Sequence, residues 1–143
     1  MIHLLIDTNV VLDFLTDRKP FSFPAAVLFD LAIAGEVTAH ISAVSYNNIY
    51  YLVRKVSSHS EAIRILRSLQ ELTGTADTTT NIIDHALNSG FKDFEDAIQY
   101  FSAKSIAGIS GIVTRNTIDF KKSELPIWSA EEAIQFVRNK QIS

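Results

Sequence analysis

The stretch that decides the fold is Ile2-His3-Leu4-Leu5-Ile6-Asp7-Thr8-Asn9. Residues 2–6 are apolar except for His3, and this run predicts a short buried strand. An acid, Asp7, then stands at the carboxyl end of the strand, and a helical pattern follows from Val10 to Leu15. Ligands bind at the carboxyl ends of strands in open α/β sheets, so Asp7 is a candidate metal ligand. The alternative interpretation is that Asp7 only caps the helix that follows it, a role that Asp fills well.

Length and composition indicate a globular protein. The chain has 143 residues, of which 47% are hydrophobic, and this predicts a single domain over residues 1–143. There is no Cys, which excludes disulfides and thiolate metal sites. The net charge of −3 argues against a broadly basic nucleic-acid binder. Contact with nucleic acid therefore requires local positive charge or a bound metal.

The apolar runs are short. None is long enough to span a bilayer. Met1 leads directly into the first strand, which leaves no room for a signal peptide. We therefore expect a cytoplasmic protein without a membrane partner.

Strand and helix patterns alternate along the chain. Strands are predicted over residues 37–41, 75–77, 109–114 and 126–128. Helices are predicted over 22–34, from Ser42 or Ser45 to 56, over 60–72, from Thr79 or Thr80 to 89, from Asp93 onward, and after a Ser129 cap. The helix that ends at 56 carries Ile49, Leu52, Val53 and Val56 on one face, which is expected to pack in the core. Residues 115–123 are predicted to form a polar loop. Alternation of this kind is typical of an α/β fold, with a mainly parallel sheet and helices on both of its faces.

Three acidic segments are expected to meet at one edge of this sheet. They are Asp7-Thr8-Asn9, Asp93-Phe94-Glu95-Asp96 at a helix start, and Asn116-Thr117-Ile118-Asp119 after a strand. Asp93 is the better helix cap, which frees Asp96 to point at the sheet edge. Each acid also has a structural interpretation: a favourable helix dipole for Asp93 and Glu95, and an Asx-turn for Asp119. Taken together, the acids predict a hard-cation site for Mg²⁺ or Mn²⁺, which can activate water against a phosphodiester.

Three motifs resemble those of the PIN-domain family, and in particular its VapC-like toxin group. They are Ile6-Asp7-Thr8-Asn9-Val10, Phe94-Glu95-Asp96-Ala97-Ile98-Gln99-Tyr100 and Val113-Thr114-Arg115-Asn116-Thr117-Ile118-Asp119-Phe120. The resemblance implies a Rossmann-like three-layer sandwich with a short, mainly parallel central sheet. It also implies an Mg²⁺- or Mn²⁺-dependent ribonuclease site, in which the catalytic, metal-binding acids match Asp7, Asp96 and Asp119. The supporting positions are Asn9, Asn48, Asp93, Thr114 and Asn116.

Asn48 departs from the family pattern. The family usually places a second acid, commonly Glu, early in the helix after the second strand, and that position falls on Asn48 here. An amide oxygen can orient a metal-bound water but contributes no charge, so cation affinity is expected to be lower. Either Asp93 or Glu95 compensates, or catalysis is impaired.

Four basic residues are candidate contacts to RNA phosphates: Arg18, Arg115, Lys121 and Lys122. Arg18 follows the first short helix, and the other three bracket Asp119. The alternative is ordinary solvated surface. Arg115 is the strongest candidate, because a strand end fixes its position.

Partners follow from the resemblance and from helix composition. The family implies RNA as substrate, an antitoxin protein and a homodimer. Residues 44–56 and 60–72 carry enough apolar and aromatic surface to cover a second copy. Tyr46, Tyr50 and Tyr51 could stack on bases, but their helical spacing favours packing in the core or in a dimer.

Three hypotheses about function fit the sequence to different degrees. The leading hypothesis is a metal-dependent endoribonuclease, the toxin of a toxin–antitoxin pair. The second is a non-catalytic module that keeps the fold and binds nucleic acid or a protein partner, as Asn48 and the negative net charge suggest. The third, another phosphoryl-transfer enzyme, fits Asp7 but not the later motifs, and the chain has no Gly-rich phosphate loop.

Overall fold

The central sheet has five strands, all parallel among the described residues, in the order β3-β2-β1-β4-β5. The structure is a computed structural model and describes residues 1–142. The strands are β1 (Ile2–Ile6), β2 (Val37–Ser42), β3 (Gly74–Ala76), β4 (Ile109–Val113) and β5 (Ile127–Trp128). The helices are α1 (Thr8–Leu15), α2 (Ser22–Ile33), α3 (Ala43–Val56), α4 (His59–Leu72), α5 (Thr80–Leu87), α6 (Phe94–Lys104) and α7 (Ala130–Ile142).

Helices cover both faces of the sheet, as predicted. Successive side chains of a strand point to opposite faces, and β1 shows this directly. Leu4 and Ile6 pack into the large apolar cluster with α1, α2, α3, α4 and α7. Leu5 packs on the other face against Tyr100 and Ala103 of α6. The α/β three-layer prediction is confirmed, and the sheet is wholly rather than mainly parallel over residues 1–142.

Several helix boundaries follow from local capping. Asp93 Oδ1 accepts a hydrogen bond from the Asp96 backbone N–H at 2.9 Å, as expected for the cap of α6. Ser129 and Glu132 form the reciprocal capping box of α7, with bonds of 2.9 and 3.1 Å. Helix α1 begins at Thr8, two residues before the predicted start at Val10, because Asp7 accepts a bond from the Thr8 N–H.

Two predictions from the sequence are wrong, one about the buried face of α3 and one about the loop after β4. Ile49 and Val53 of α3 are buried, but Leu52 is 39% exposed and Val56 is 82% exposed, so the buried stripe is narrower than predicted. The predicted polar loop over residues 115–123 contains a short 3₁₀ helix, Thr117–Phe120. This turn buries the Phe120 ring against Leu5 and Tyr100.

One glycine permits close packing at the edge of the sheet. A Cβ added to Gly111 of β4 would lie 2.6 Å from the Trp128 ring and 2.8 Å from the Pro126 carbonyl oxygen. The missing side chain therefore lets the indole of β5 lie directly against β4. Among residues 1–142, no helix is both long and apolar enough to cross a membrane.

Candidate active site

Asp7 is a buried carboxylate held by three donors. Its Oδ1 accepts hydrogen bonds from the Thr8 backbone N–H at 2.7 Å and from Gln99 Nε2 at 2.6 Å. Its Oδ2 accepts one from Thr114 Oγ1 at 2.7 Å. The residue is 4% exposed and follows β1, whose neighbours in the sheet are β2 and β4. Asp7 is therefore both a helix cap and a fixed carboxylate at the carboxyl edge of the sheet, so the two interpretations of its role are compatible.

The first turn of α6 brings three more acids to this edge. Asp93 caps the helix, and Asp96 is 8% exposed. Glu95 Oε2 accepts hydrogen bonds from Thr8 Oγ1 at 3.1 Å and from Gln99 Nε2 at 3.3 Å. Gln99 Nε2 thus bridges Asp7 and Glu95.

These acids line one open cavity of about 540 Å³. Asp119, from the 3₁₀ turn after β4, completes a set of five carboxylates there. Three amides lie among them: Asn9 of α1, Asn48 of α3 and Asn116. The remaining lining residues are Thr8, Leu12, Arg18, Tyr51 and Leu52. The acids that the sequence predicts to converge do line one cavity in the structure. Their roles stay predictions.

The carboxylates perturb one another. Burial, followed by repulsion from Asp7 and then from Asp93, Asp119 and Glu95, raises the pKa of Asp96 to about 7. Burial also raises the pKa of Asp7, with a smaller contribution from Asp93, and hydrogen bonds from Thr114, Gln99 and Thr8 act in the opposite direction. Without a cation, the cavity cannot hold all its carboxylates ionised at neutral pH without electrostatic cost.

The donor set fits a hard divalent cation. It contains carboxylate, amide and hydroxyl oxygens, which are the ligands of Mg²⁺ and Mn²⁺. Among residues 1–142, no group of three or more Asp, Glu, His and Cys side chains is arranged so that it could hold a metal ion by itself. Both oxygens of Asp7 also already accept hydrogen bonds. The cavity therefore suits an ion that keeps several waters, as Mg²⁺ does.

The predicted supporting residues divide into two groups. Asn9, Asn48, Asp93 and Asn116 line the cavity with the acids. Thr114 is fully buried and acts on Asp7 through its hydroxyl, which also accepts a bond from the Asn116 N–H at 3.0 Å.

The predicted RNA contacts are dispersed. Arg18 lines the acidic cavity, whereas Arg115, Lys121 and Lys122 lie outside it. Arg115 pairs with Asp13 at 2.8 Å, and Lys122 Nζ donates to the Gly90 carbonyl at 2.9 Å.

Sequence reasoning missed two contributors. Gln99 is fully buried, and the only signal for it was a polar residue inside the apolar face of α6. Tyr51 was expected to pack in the core or in a dimer, with base stacking as the alternative; its side chain is 64% exposed and lines the cavity, so the core placement is wrong. Periodicity did not identify it, because an aromatic residue at helical spacing fits either environment.

Solved structures of several other proteins share this fold at low sequence identity. A chain of a toxin–antitoxin complex from Klebsiella pneumoniae aligns with a TM-score of 0.65 and 20% identity, covering 89% of this chain and 97% of that one. A chain of VapBC-1 from nontypeable Haemophilus influenzae aligns with a TM-score of 0.67 and 15% identity, covering 92% of this chain and 99% of that one. A chain of VapBC2 from Rickettsia felis, bound to promoter DNA, aligns with a TM-score of 0.60 and 20% identity, covering 90% of this chain and 100% of that one. Among curated proteins, none is significantly similar to this chain in sequence.

A family model identifies the family of this chain from its sequence. The family model of the PIN domain matches residues 3–118, which is most of the chain and includes Asp7 and Asp96. PIN domains are in general nucleases. The resemblance recognised in the sequence motifs is confirmed, and the chain belongs to the PIN-domain family.

Proposed function

We propose that this protein is an Mg²⁺- or Mn²⁺-dependent endoribonuclease and the toxin of a toxin–antitoxin pair. The observation that carries the proposal is the convergence of five carboxylates in one open cavity at the carboxyl edge of the sheet. Membership of a family of nucleases supports hydrolysis of nucleic acid. The structural likeness to chains of toxin–antitoxin complexes supports the toxin assignment.

Asp7, Asp96 and Asp119 are the acids that we assign to the cation and to catalysis. A bound divalent ion would polarise the attacking water and offset the negative charge of the phosphodiester transition state. Thr114, Gln99 and the Thr8 N–H fix the direction of the Asp7 carboxylate before substrate arrives. Preorganisation of this kind avoids reorganisation during the reaction.

Asn48 lowers the negative charge of the site, and the acids on α6 restore it. Asn48 lines the same cavity as Asp93 and Glu95. Glu95 is fixed by Thr8 and Gln99, so its carboxylate stays near that of Asp7. We propose that Glu95 and Asp93 supply the charge that the usual second acid would provide, and that Asn48 orients water.

We also propose RNA, an antitoxin and a second copy of the chain as partners. Tyr51, Leu52, Val56 and Leu72 of α3 and α4 are exposed hydrophobic side chains. Exposed apolar surface of this kind is typical of an interaction face.

The test compares wild type with Asp7→Asn on single-stranded RNA, with Mn²⁺ or Mg²⁺ added. We expect cleavage only with the cation, and a loss of at least about 100-fold in Asp7→Asn, because the fixed carboxylate is replaced by a neutral group. Asp84→Asn is the matched control, since Asp84 is an exposed acid of α5 outside the cavity. Equal cleavage by Asp7→Asn and wild type would remove Asp7 from the mechanism.

A non-catalytic binding module is the second candidate. Asn48 at the cavity wall favours it, because the site lacks the usual second acid of the family. Under this alternative the protein would bind a nucleic acid or protein partner with no cation dependence. Titration with Mn²⁺ separates the two functions, since only the enzyme needs the ion.

A further inference from the structure

We propose that the Arg115 guanidinium, held in place by Asp13 and Phe21, binds a backbone phosphate of the RNA next to the phosphodiester cleaved in the acidic cavity. This inference rests on the proposed ribonuclease function and adds a second, separate contact point for the substrate. It also makes Asp13 a positioning residue, which acts on the substrate only through Arg115.

Arg115 is fixed from three sides. Its Nε donates to Asp13 Oδ2 at 2.8 Å, and its Cζ lies 4.2 Å from the centre of the Phe21 ring. Its backbone N–H donates to Asn9 Oδ1 at 3.4 Å. The Asp13 side chain is only 2% exposed, so the carboxylate holds the guanidinium from the protein side. A cation fixed in this way loses little conformational freedom when it binds a ligand.

The other side of the guanidinium is open. The Arg115 side chain is 32% exposed, and only its Nε pairs with a group within residues 1–142. Its two terminal nitrogens therefore keep their donors for a ligand. A guanidinium fork matches the oxygens of a phosphate, which it binds through two parallel hydrogen bonds.

A cavity of about 410 Å³ lies beside these donors. Asp13, Phe21, Asn116 and the first turn of α7 line it together with Arg115. The Ser129–Glu132 capping box leaves the N–H groups of Ala130 and Glu131 without an intrahelical partner. These donors add to the attraction that Arg115 exerts on an anion. Two carboxylates of the cavity oppose this attraction, those of Asp13 and Glu131. The Asp13 carboxylate is already paired with Arg115, and Glu131 is exposed, so solvent screens its charge.

This cavity adjoins the acidic one. Asn116 lines both, and Asn9 lines the acidic cavity while bonding to the Arg115 backbone. A phosphate at Arg115 is therefore beside the carboxylates and not among them. Because the two cavities share Asn116, a polymer that places one phosphodiester at the acids can place a flanking one at Arg115.

Two lysines also lie beside the acids, next to Asp119. Lys121 and Lys122 line a third cavity, which shares Asp119 with the acidic one. Lys122 already donates to the Gly90 carbonyl, and within residues 1–142 neither lysine forms an ion pair with a carboxylate. Of the two flanking sides, the Arg115 side has the preorganised phosphate contact.

The experiment uses short single-stranded RNA substrates in which one phosphate at a time is replaced by a neutral methylphosphonate. In wild type, we expect neutralising one particular flanking phosphate to raise KM about tenfold with little change in kcat, the size of one charged hydrogen bond. Arg115→Gln should raise KM by a similar factor and become insensitive to that same replacement. Arg138→Gln, which removes an exposed arginine of α7, is the matched control and should keep the wild-type response.

Two further variants test the positioning role of Asp13. Arg115→Lys keeps the charge but loses the fork, and should recover only part of the KM loss. Asp13→Asn keeps the shape of the residue but releases Arg115, and should raise KM while weakening the response to the same phosphate. A merely structural role for Asp13 would lower thermal stability and kcat without changing which phosphate matters, and that result would overturn the proposal.

A measurement of RNA binding tests this inference separately from the proposed ribonuclease function. Anisotropy of labelled RNA is measured in an Asp7→Asn background, with and without the Arg115→Gln change. Loss of Arg115 should lower the slope of log K against log salt by about 0.7, the value for one phosphate contact on a single strand. An unchanged slope and affinity would overturn the inference even if wild type cleaves RNA. If wild type does not cleave RNA but the Arg115-dependent slope persists, the ribonuclease function fails and the phosphate site stands.

Discussion

At the scale of single residues, Asp96 is a carboxylate whose ionisation depends on burial and on neighbouring acids. Burial and four surrounding acids raise its pKa to about 7, from a value of 3.8 for an isolated side chain. Between these two pH values the folded protein holds a proton on Asp96 that the unfolded chain releases. The free energy of unfolding of the metal-free protein therefore falls as the pH rises through this interval.

Asp96→Asn should reduce this pH dependence. In chelator at pH 8, we expect the variant to be more stable than wild type by roughly 1 kcal/mol, a figure reduced from the full shift because solvent screens a site at the cavity wall. Near pH 4 the difference should vanish, because protonated Asp and Asn are alike in charge and shape. Denaturant unfolding at both pH values measures the effect. A variant as pH-sensitive as wild type, or the same change in the Asp84→Asn control, would contradict the electrostatic account.

At the scale of secondary-structure elements, α3 and α6 both line the acidic cavity. α6 contributes Glu95 and Asp96, whereas α3 contributes Asn48, Tyr51 and Leu52. Of these two helices, α6 therefore brings negative charge to the cavity and α3 brings only neutral and apolar groups. This asymmetry is the structural consequence of Asn48.

Asn48→Asp should restore charge to the α3 wall. We expect Mn²⁺ affinity to rise about tenfold, because cation affinity follows the number of charged ligands. The metal-free protein should become less stable, since a sixth carboxylate joins the five already present. Isothermal titration and thermal unfolding report the two effects. Asn47→Asp, on the exposed side of the same helix, should change neither. Unchanged Mn²⁺ affinity in Asn48→Asp would mean that the ion does not reach this wall.

Local signals predicted the elements well, and tertiary contacts account for the errors. The caps at Asp93 and Ser129 were predicted because the donors and acceptors lie within three residues of each other. Leu52 and Val56 were placed in the core wrongly, because apolar residues at the flank of a helix share the periodicity of the buried stripe. Phe120 was placed in a loop, and its burial depends on contacts with Leu5 and Tyr100 that are distant in sequence.

At the scale of the whole molecule, the acidic cavity joins distant parts of the chain, so a cation bound there should stabilise the entire fold. We expect Mn²⁺ at 100 times its dissociation constant to add about 2.7 kcal/mol to the free energy of unfolding of wild type, which raises Tm by several degrees. Asp96→Asn should lose most of this shift, and Asp84→Asn should retain it. No shift in wild type would favour the non-catalytic binding module.

The site was only partly predictable from the sequence, because it is built from parts of the chain that are distant in sequence. The meeting of Asp7, Asp96 and Asp119 followed from the rule that parallel strands end at one edge, and the structure places all three in one cavity. Their roles in metal binding and catalysis stay predictions. The bond from Gln99 to Asp7 spans 92 residues, and that from Arg115 to Asp13 spans 102. No local pattern carries such pairings, because each depends on how separate elements pack.

The close contact of Gly111 with the Trp128 ring and the Pro126 carbonyl oxygen limits which residues position 111 can accept. Even a methyl group at 111 would collide with the indole and with the Pro126 carbonyl oxygen. Because Ser129 follows Trp128 directly and α7 follows Ser129, the displacement would pass along the chain to the residues beside Arg115. A smaller residue at 128 would remove the indole but not the Pro126 carbonyl oxygen, which belongs to the backbone. Glycine at 111 is therefore required whichever side chain stands at 128, although neither residue touches the reacting groups.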